Sequence, residues 1–114
     1  MKEQTAIMAL SALASEARLS VFRLLVRRGP QGFTPSELAD HLDIPASTLS
    51  FHLKELLRAE LIMSRRDGRN LFYSPDFERM SSLLAFLTDN CCTLADDASG
   101  NDCQSIETSK RKRA

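Results

Sequence analysis

Apolar positions recur at a helical period along most of this chain, and the period shortens to that of a strand in one stretch. From about Glu3 to Leu13, the spacing of Ile7, Leu10 and Ala14 predicts a first helix. A second is expected behind Ser15, an N-cap residue, with Glu16 at the positive end of the helix dipole. It reads "EARLSVFRLLVRR" and stops at Gly29-Pro30. "TPSELADHL" predicts a third helix, with Thr34 as N-cap, Pro35 at the first helical position and Glu37 closing a capping box. After the short turn "DIP", a fourth helix reads "ASTLSFHLKELLRAE", with Leu49, Leu53, Leu56 and Leu57 as its buried stripe. The period changes at "LIMSRRDGRNLFYS", two β-prone runs joined around Asp67-Gly68, the strongest hairpin signal in the chain. Ser74-Pro75 closes the hairpin, and "DFERMSSLLAFLTDNCC" predicts a fifth helix.

This order predicts a mainly α fold with a small β-hairpin: a winged helix-turn-helix of five helices plus a two-stranded wing. The 114 residues suit one such domain. We expect residues 1–92 to form a DNA-binding and dimerisation domain. Residues 93–114, small and polar, are expected to be a flexible tail that carries Cys103 and a basic tip, or to be ordered by a ligand. No apolar run is long enough to span a bilayer and the start does not resemble a signal peptide, so the expectation is a cytoplasmic protein without a membrane partner. Thiols in that compartment stay reduced, which favours metal or redox chemistry over a disulfide framework.

The formal net charge of zero conceals segregation. Ser15 to Tyr73 holds nine Lys/Arg against seven Asp/Glu, and Ser74 to Ser109 holds Arg79 against seven acidic residues. The closing "KRKRA" then returns four positive charges. Clustered charge matters more for nucleic acid than its sum.

A helix whose leucine stripe is anchored in a core leaves its opposite face free for a major groove. On the fourth helix that face carries Ser47, Thr48, Phe51 and His52, with Ser50 and Lys54 nearby. Hydroxyls permit close approach, Phe51 suits a thymine methyl, and His52 suits a phosphate or base edge. Arg65, Arg66 and Arg69 gather around the hairpin tip, where they suit phosphates or a minor groove. His41 is expected to be structural or solvent-facing.

With these residues in view, "LASEARLSVFRLLVRRG" and "SELADHLDIPASTLSFHLKELLRAELIMSRRDGRNLFYS" resemble the ArsR/SmtB family of metal-responsive winged-helix repressors, over roughly residues 5 to 92. The resemblance implies a homodimer built on the first and fifth helices that represses an operon until an inducer binds. Two departures stand out. Glu60 occupies the place where the family usually has glycine, and "SELADHL" lacks the Cys-x-Cys of many third-helix thiol sites. The fifth helix contains no histidine, against a His/Asp zinc site there.

On that fifth helix Phe77, Met80, Leu84, Leu87 and Cys91 fall at heptad offsets. Packed with Ile7 and Leu10 of the first helix, this seam suits an isologous dimer interface. Cys91 is expected to continue the seam, with Cys92 beside it and Cys103 beyond a ten-residue spacer. The vicinal spacing is unlike that of structural zinc sites. Three thiolates without histidine suit a soft, three-coordinate centre, for which arsenic(III) or antimony(III) is the natural inducer. Members of the resembled family with an adjacent C-terminal cysteine pair and a later third cysteine are arsenite sensors.

The expected function is therefore an arsenic(III)/antimony(III)-responsive repressor. It binds double-stranded operator DNA as a homodimer and needs no organic cofactor. Alternatives on the same fold are a methylarsenite-, cadmium/zinc- or redox-responsive repressor. Outside that class stands a constitutive DNA-binding protein with incidental thiols. A thiol enzyme is disfavoured, because no phosphate-type oxyanion loop surrounds the cysteines.

Overall fold

The computed structural model describes residues 1–95. Cys103 and the basic tip, residues 110–113, lie outside the described residues, as does most of the expected tail. Helices α1 (Glu3–Leu13), α2 (Glu16–Arg28), α3 (Pro35–Leu42) and α4 (Ala46–Arg58) lead into strands β1 (Ile62–Asp67) and β2 (Asn70–Pro75), then helix α5 (Phe77–Thr88). This is the expected winged helix-turn-helix. Among the described residues, no single helix is long and apolar enough to cross a membrane.

Local capping sets the helix starts. Ser15 Oγ accepts from Arg18 N–H at the head of α2, and Asp76 Oδ1 accepts from Arg79 N–H at the head of α5. At α3 both halves of the capping box form. Glu37 N–H donates to Thr34 Oγ1 at 3.3 Å, and Thr34 N–H donates to Glu37 Oε1 at 2.9 Å. The Thr34 N–H bond is the main reason the Glu37 carboxyl titrates below its ordinary value.

One core collects Val21, Phe22 and Leu25 of α2, Leu38 of α3, Leu49, Leu53 and Leu56 of α4, then Leu61, Ile62 and Leu83. Leu57 is half-buried at its edge. In α1 the inward face is small: Ala6, Ala9 and Ala12 are buried, whereas Ile7 and Leu10 are 54% and 42% exposed. Alanines let α1 lie close against its own domain, and the larger side chains are left outside. On α5, Leu83 is buried and Met80 and Phe86 pack against the core, while Leu84 and Leu87 stand 51% and 54% exposed.

The antiparallel register pairs Ile62 with Pro75 and Asp67 with Asn70. The turn is therefore Gly68-Arg69, one residue later than the expected Asp67-Gly68. Gly68 has φ +66° and Arg69 has no positive φ, the pattern of a turn that needs glycine at its first central position. A further pairing, invisible in the periodicity, anchors the wing to the body. Phe33 bridges Tyr73 through reciprocal backbone bonds of 2.9 and 2.8 Å. Gly32 permits this approach, since a Cβ there would meet the Tyr73 carbonyl oxygen at 2.5 Å.

The fourth helix was expected to run to Glu60 but ends at Arg58, in a Schellman turn. Leu61 N–H bonds to Leu56 C=O and Glu60 N–H to Leu57 C=O, with Leu56 and Leu61 buried. Glu60 itself has φ +60°, which is the physical reason a glycine is common at this place. Its carboxylate is held by Arg79 Nη2 at 2.6 Å, tying the end of α4 to α5. Left-handed strain of about 1–2 kcal/mol is set against an ion pair worth about 0–1 kcal/mol at this exposure. Glu60→Gly is thus expected to stay within about 1 kcal/mol of wild type, because relief of strain offsets the missing pair and the freer unfolded chain. Glu60→Val, β-branched in a left-handed position, should lose about 2 kcal/mol. Urea unfolding midpoints test both, and equal midpoints for the two variants would refute the strain at Glu60.

The fifth helix is shorter than expected. It ends at Thr88, whose hydroxyl donates back to Leu84 C=O at 2.9 Å. Asn90 and Cys92 then take φ values of +60° and +65° in successive turns. Cys91 therefore does not extend the helical seam; it follows it in a tight, irregular turn.

Candidate nucleic-acid interface and thiol pair

Helix α3, the left-handed Asp43 (φ 53°) and Pro45, the N-cap of α4, set the two helices of the motif at an angle. Burial of Leu49, Leu53 and Leu56 turns the opposite face of α4 outward. Ser47, Thr48, Ser50 and Lys54 are exposed, and Phe51 is 55% exposed, which is unusual for so large an apolar ring. Ser50 and Lys54 form one wall of an open trough of about 380 Å³, whose other side includes Ser36, Asp40 and Tyr73. Ser36 and Tyr73 come from other elements than α4, so its period alone does not place them beside Ser50 and Lys54.

His52 departs from the outward placement expected of it. It is half-buried, and its Nδ1 lies 3.4 Å from Arg18 Nη1 on α2. Its ring meets Phe51 edge-on at 5.6 Å between centroids. His41 is exposed, with its ring tilted on Phe33 at 5.1 Å.

The three wing arginines separate into two kinds. Arg65 is fastened to the body: Nη2 donates to Gln31 C=O at 2.9 Å, and its guanidinium lies 4.8 Å over Phe72. Arg66 and Arg69 are exposed, and neither makes an ion pair or side-chain hydrogen bond with another described residue. Two uncompensated guanidinium groups at the tip are suited to phosphate. Arg69→Ala is expected to weaken DNA binding uniformly across sequences. If each subunit of a dimer gives up one phosphate in this way, the log–log salt slope should fall by about 1.8. An unchanged slope would remove Arg69 from the phosphate-binding set.

The cysteine pair lies at the far end of the described chain. Cys91 and Cys92 are exposed and their sulfurs are 3.3 Å apart. Cys91 N–H bonds back to Thr88 C=O, so the turn is secured to the last residue of α5. Among the described residues, no group of three His, Cys, Asp or Glu side chains converges to hold a metal ion. Cys103, the expected third ligand, lies outside them.

Comparison with known proteins accords with this geometry. A helix-turn-helix domain model matches residues 13–65. The arsenical resistance operon repressor of Bacillus subtilis is 32% identical over 92 residues, covering 81% of this chain and 84% of that protein. An ArsR-like transcriptional regulator from Rhodococcus shares the fold at a TM-score of 0.67, with 19% identity over 97% of this chain and 93% of its own. The homodimeric winged helix-turn-helix DNA-binding domain of a Mycobacterium bovis protein aligns at a TM-score of 0.58 and 25% identity, over 77% of this chain and 82% of that one.

Proposed function

This chain belongs to the ArsR family of DNA-binding helix-turn-helix transcriptional regulators, and from that premise we propose that it is a homodimeric arsenic(III)- or antimony(III)-responsive repressor, released from its operator when the inducer binds C-terminal thiols. The observation that carries the reading is the vicinal cysteine pair, Cys91 and Cys92, exposed and secured to the end of α5. Sulfur donors without histidine suit a soft ion. Each thiol replaces one hydroxide of arsenous acid and releases one water, so three thiols complete the centre and Cys103 is the third.

In this reading Ser47, Thr48, Ser50, Phe51 and Lys54 of each subunit enter the major groove, while Arg66 and Arg69 take phosphates beside it. The exposed seam of Ile7, Leu10, Leu84 and Leu87 supports the dimer, with Phe77 and Met80 at its inner margin. Paired recognition helices about 34–36 Å apart would reach successive major grooves of an imperfect palindrome in the cytoplasm. Inducer at the end of α5 favours a dimer geometry that no longer fits both half-sites, through its higher affinity for that state.

The test is fluorescence anisotropy on a duplex selected from a random pool by the metal-free protein. Arsenite should release the duplex, and zinc or cadmium at the same concentration should not. Release by zinc alone would overturn the choice of inducer.

A further inference from the structure

His52 was expected to read DNA, yet it is half-buried and meets a guanidinium of the protein itself. Arg18, in the first turn of α2, reaches in two directions. Its Nε donates to Ala12 C=O at the end of α1 at 2.6 Å, and its Nη1 lies 3.4 Å from His52 Nδ1 on α4. An arginine has donors and no acceptor, so in this contact Nδ1 is the accepting atom. A cleft of about 350 Å³ lies where α1 meets α4, with Met8, Arg18, Glu55 and Arg58 among the residues of its wall. Glu55, the carboxylate in that wall, is paired with Arg58 at 3.0 Å, and Arg18 is left to its two neutral acceptors.

The position of His52 gives the link its consequence. It stands four residues after Thr48, on the turn next to the groove-reading residues. The other end of α4 is already secured by the Schellman turn and the Arg79–Glu60 pair. We propose that Arg18 is a positioning residue for DNA recognition: through His52 it sets the tilt of the reading half of α4 against the end of α1. His52 then acts on the DNA through the tilt of α4 and does not itself read a base.

Arg18→Met keeps the aliphatic stem and removes every donor; His52→Gln keeps an acceptor and His52→Ala does not. On the pool-selected duplex, Arg18→Met and His52→Ala should each raise Kd about tenfold, or 1.4 kcal/mol. The loss should be the same for every single-base variant of the duplex. The double variant should be no weaker than either single one, because both remove the same link. His52→Gln should bind within about threefold of wild type, a difference of about 0.7 kcal/mol. Multiplying losses in the double variant would overturn the proposal, as would unchanged affinity in Arg18→Met. Specificity lost at one base pair in His52→Ala alone would show direct reading instead. Should Arg18→Met melt early, the contrast between His52→Gln and His52→Ala decides the matter with Arg18 intact, and equal loss in both would reject the link.

Discussion

Replacing Cys91 or Cys92 by serine is expected to leave operator binding unchanged without inducer and to abolish release by arsenite. Both residues follow the last turn of α5, on a different element from Ser47, Thr48 and Phe51, and neither belongs to the core. A hydroxyl is a hard donor and a poor ligand for a soft centre, so one substitution leaves too few strong bonds. Tenfold release in the wild type requires a coupling of about 1.4 kcal/mol between inducer and DNA. Either variant should forfeit all of it. Cys103→Ser separates two inducers: it should block inorganic arsenite, which takes three thiols, and spare methylarsenite, which takes two. If both the Cys91→Ser and Cys92→Ser proteins leave DNA at wild-type arsenite concentrations, the sensor site is elsewhere and the proposed mechanism is wrong.

The second large effect concerns the seam. Leu84→Glu should yield a folded monomer whose operator affinity falls about 10³-fold, because a monomer loses the linked second half-site, an effect of about 10²–10⁴. A carboxylate placed among the partner's leucines and isoleucine would lose its hydration without gaining a counter-ion. Within one subunit Leu84 is half exposed and lies outside the core, so helical content should persist. Sedimentation velocity measures the assembly and anisotropy the binding. A Leu84→Glu protein that remains dimeric would move the interface off this face of α5.

How much of this was legible beforehand depended on the range of the interaction concerned. The starts of α2 and α3 were readable to the residue, since Ser15, Thr34, Pro35 and Glu37 bond within three or four positions of themselves. Glycine marked the hairpin but placed its turn one residue early, because Asp67 and Gly68 suit a turn equally well and the register is settled by pairing down both strands. The heptad spacing carried α5 through to Cys91, whereas the Thr88 back-bond and the left-handed Asn90 end it at Thr88. Among the wing arginines, composition could not tell Arg65, which stacks on Phe72, from the open Arg66 and Arg69.

Taken alone, the sequence determined what short-range chemistry can determine: which segments are helical, where they are capped, that one hairpin follows the fourth helix, and that three cysteines fall near the end. Tertiary structure decided which side of each helix faces home. In α1 the alanines turn inward and Ile7 and Leu10 outward, since close approach to the domain favours small side chains and leaves large ones outside. It also decided that Tyr73 pairs with Phe33, that Glu60 meets Arg79, and that Arg18 meets His52 across 34 positions of chain. Those encounters depend on how separate elements pack in space, and no local period or cap encodes them.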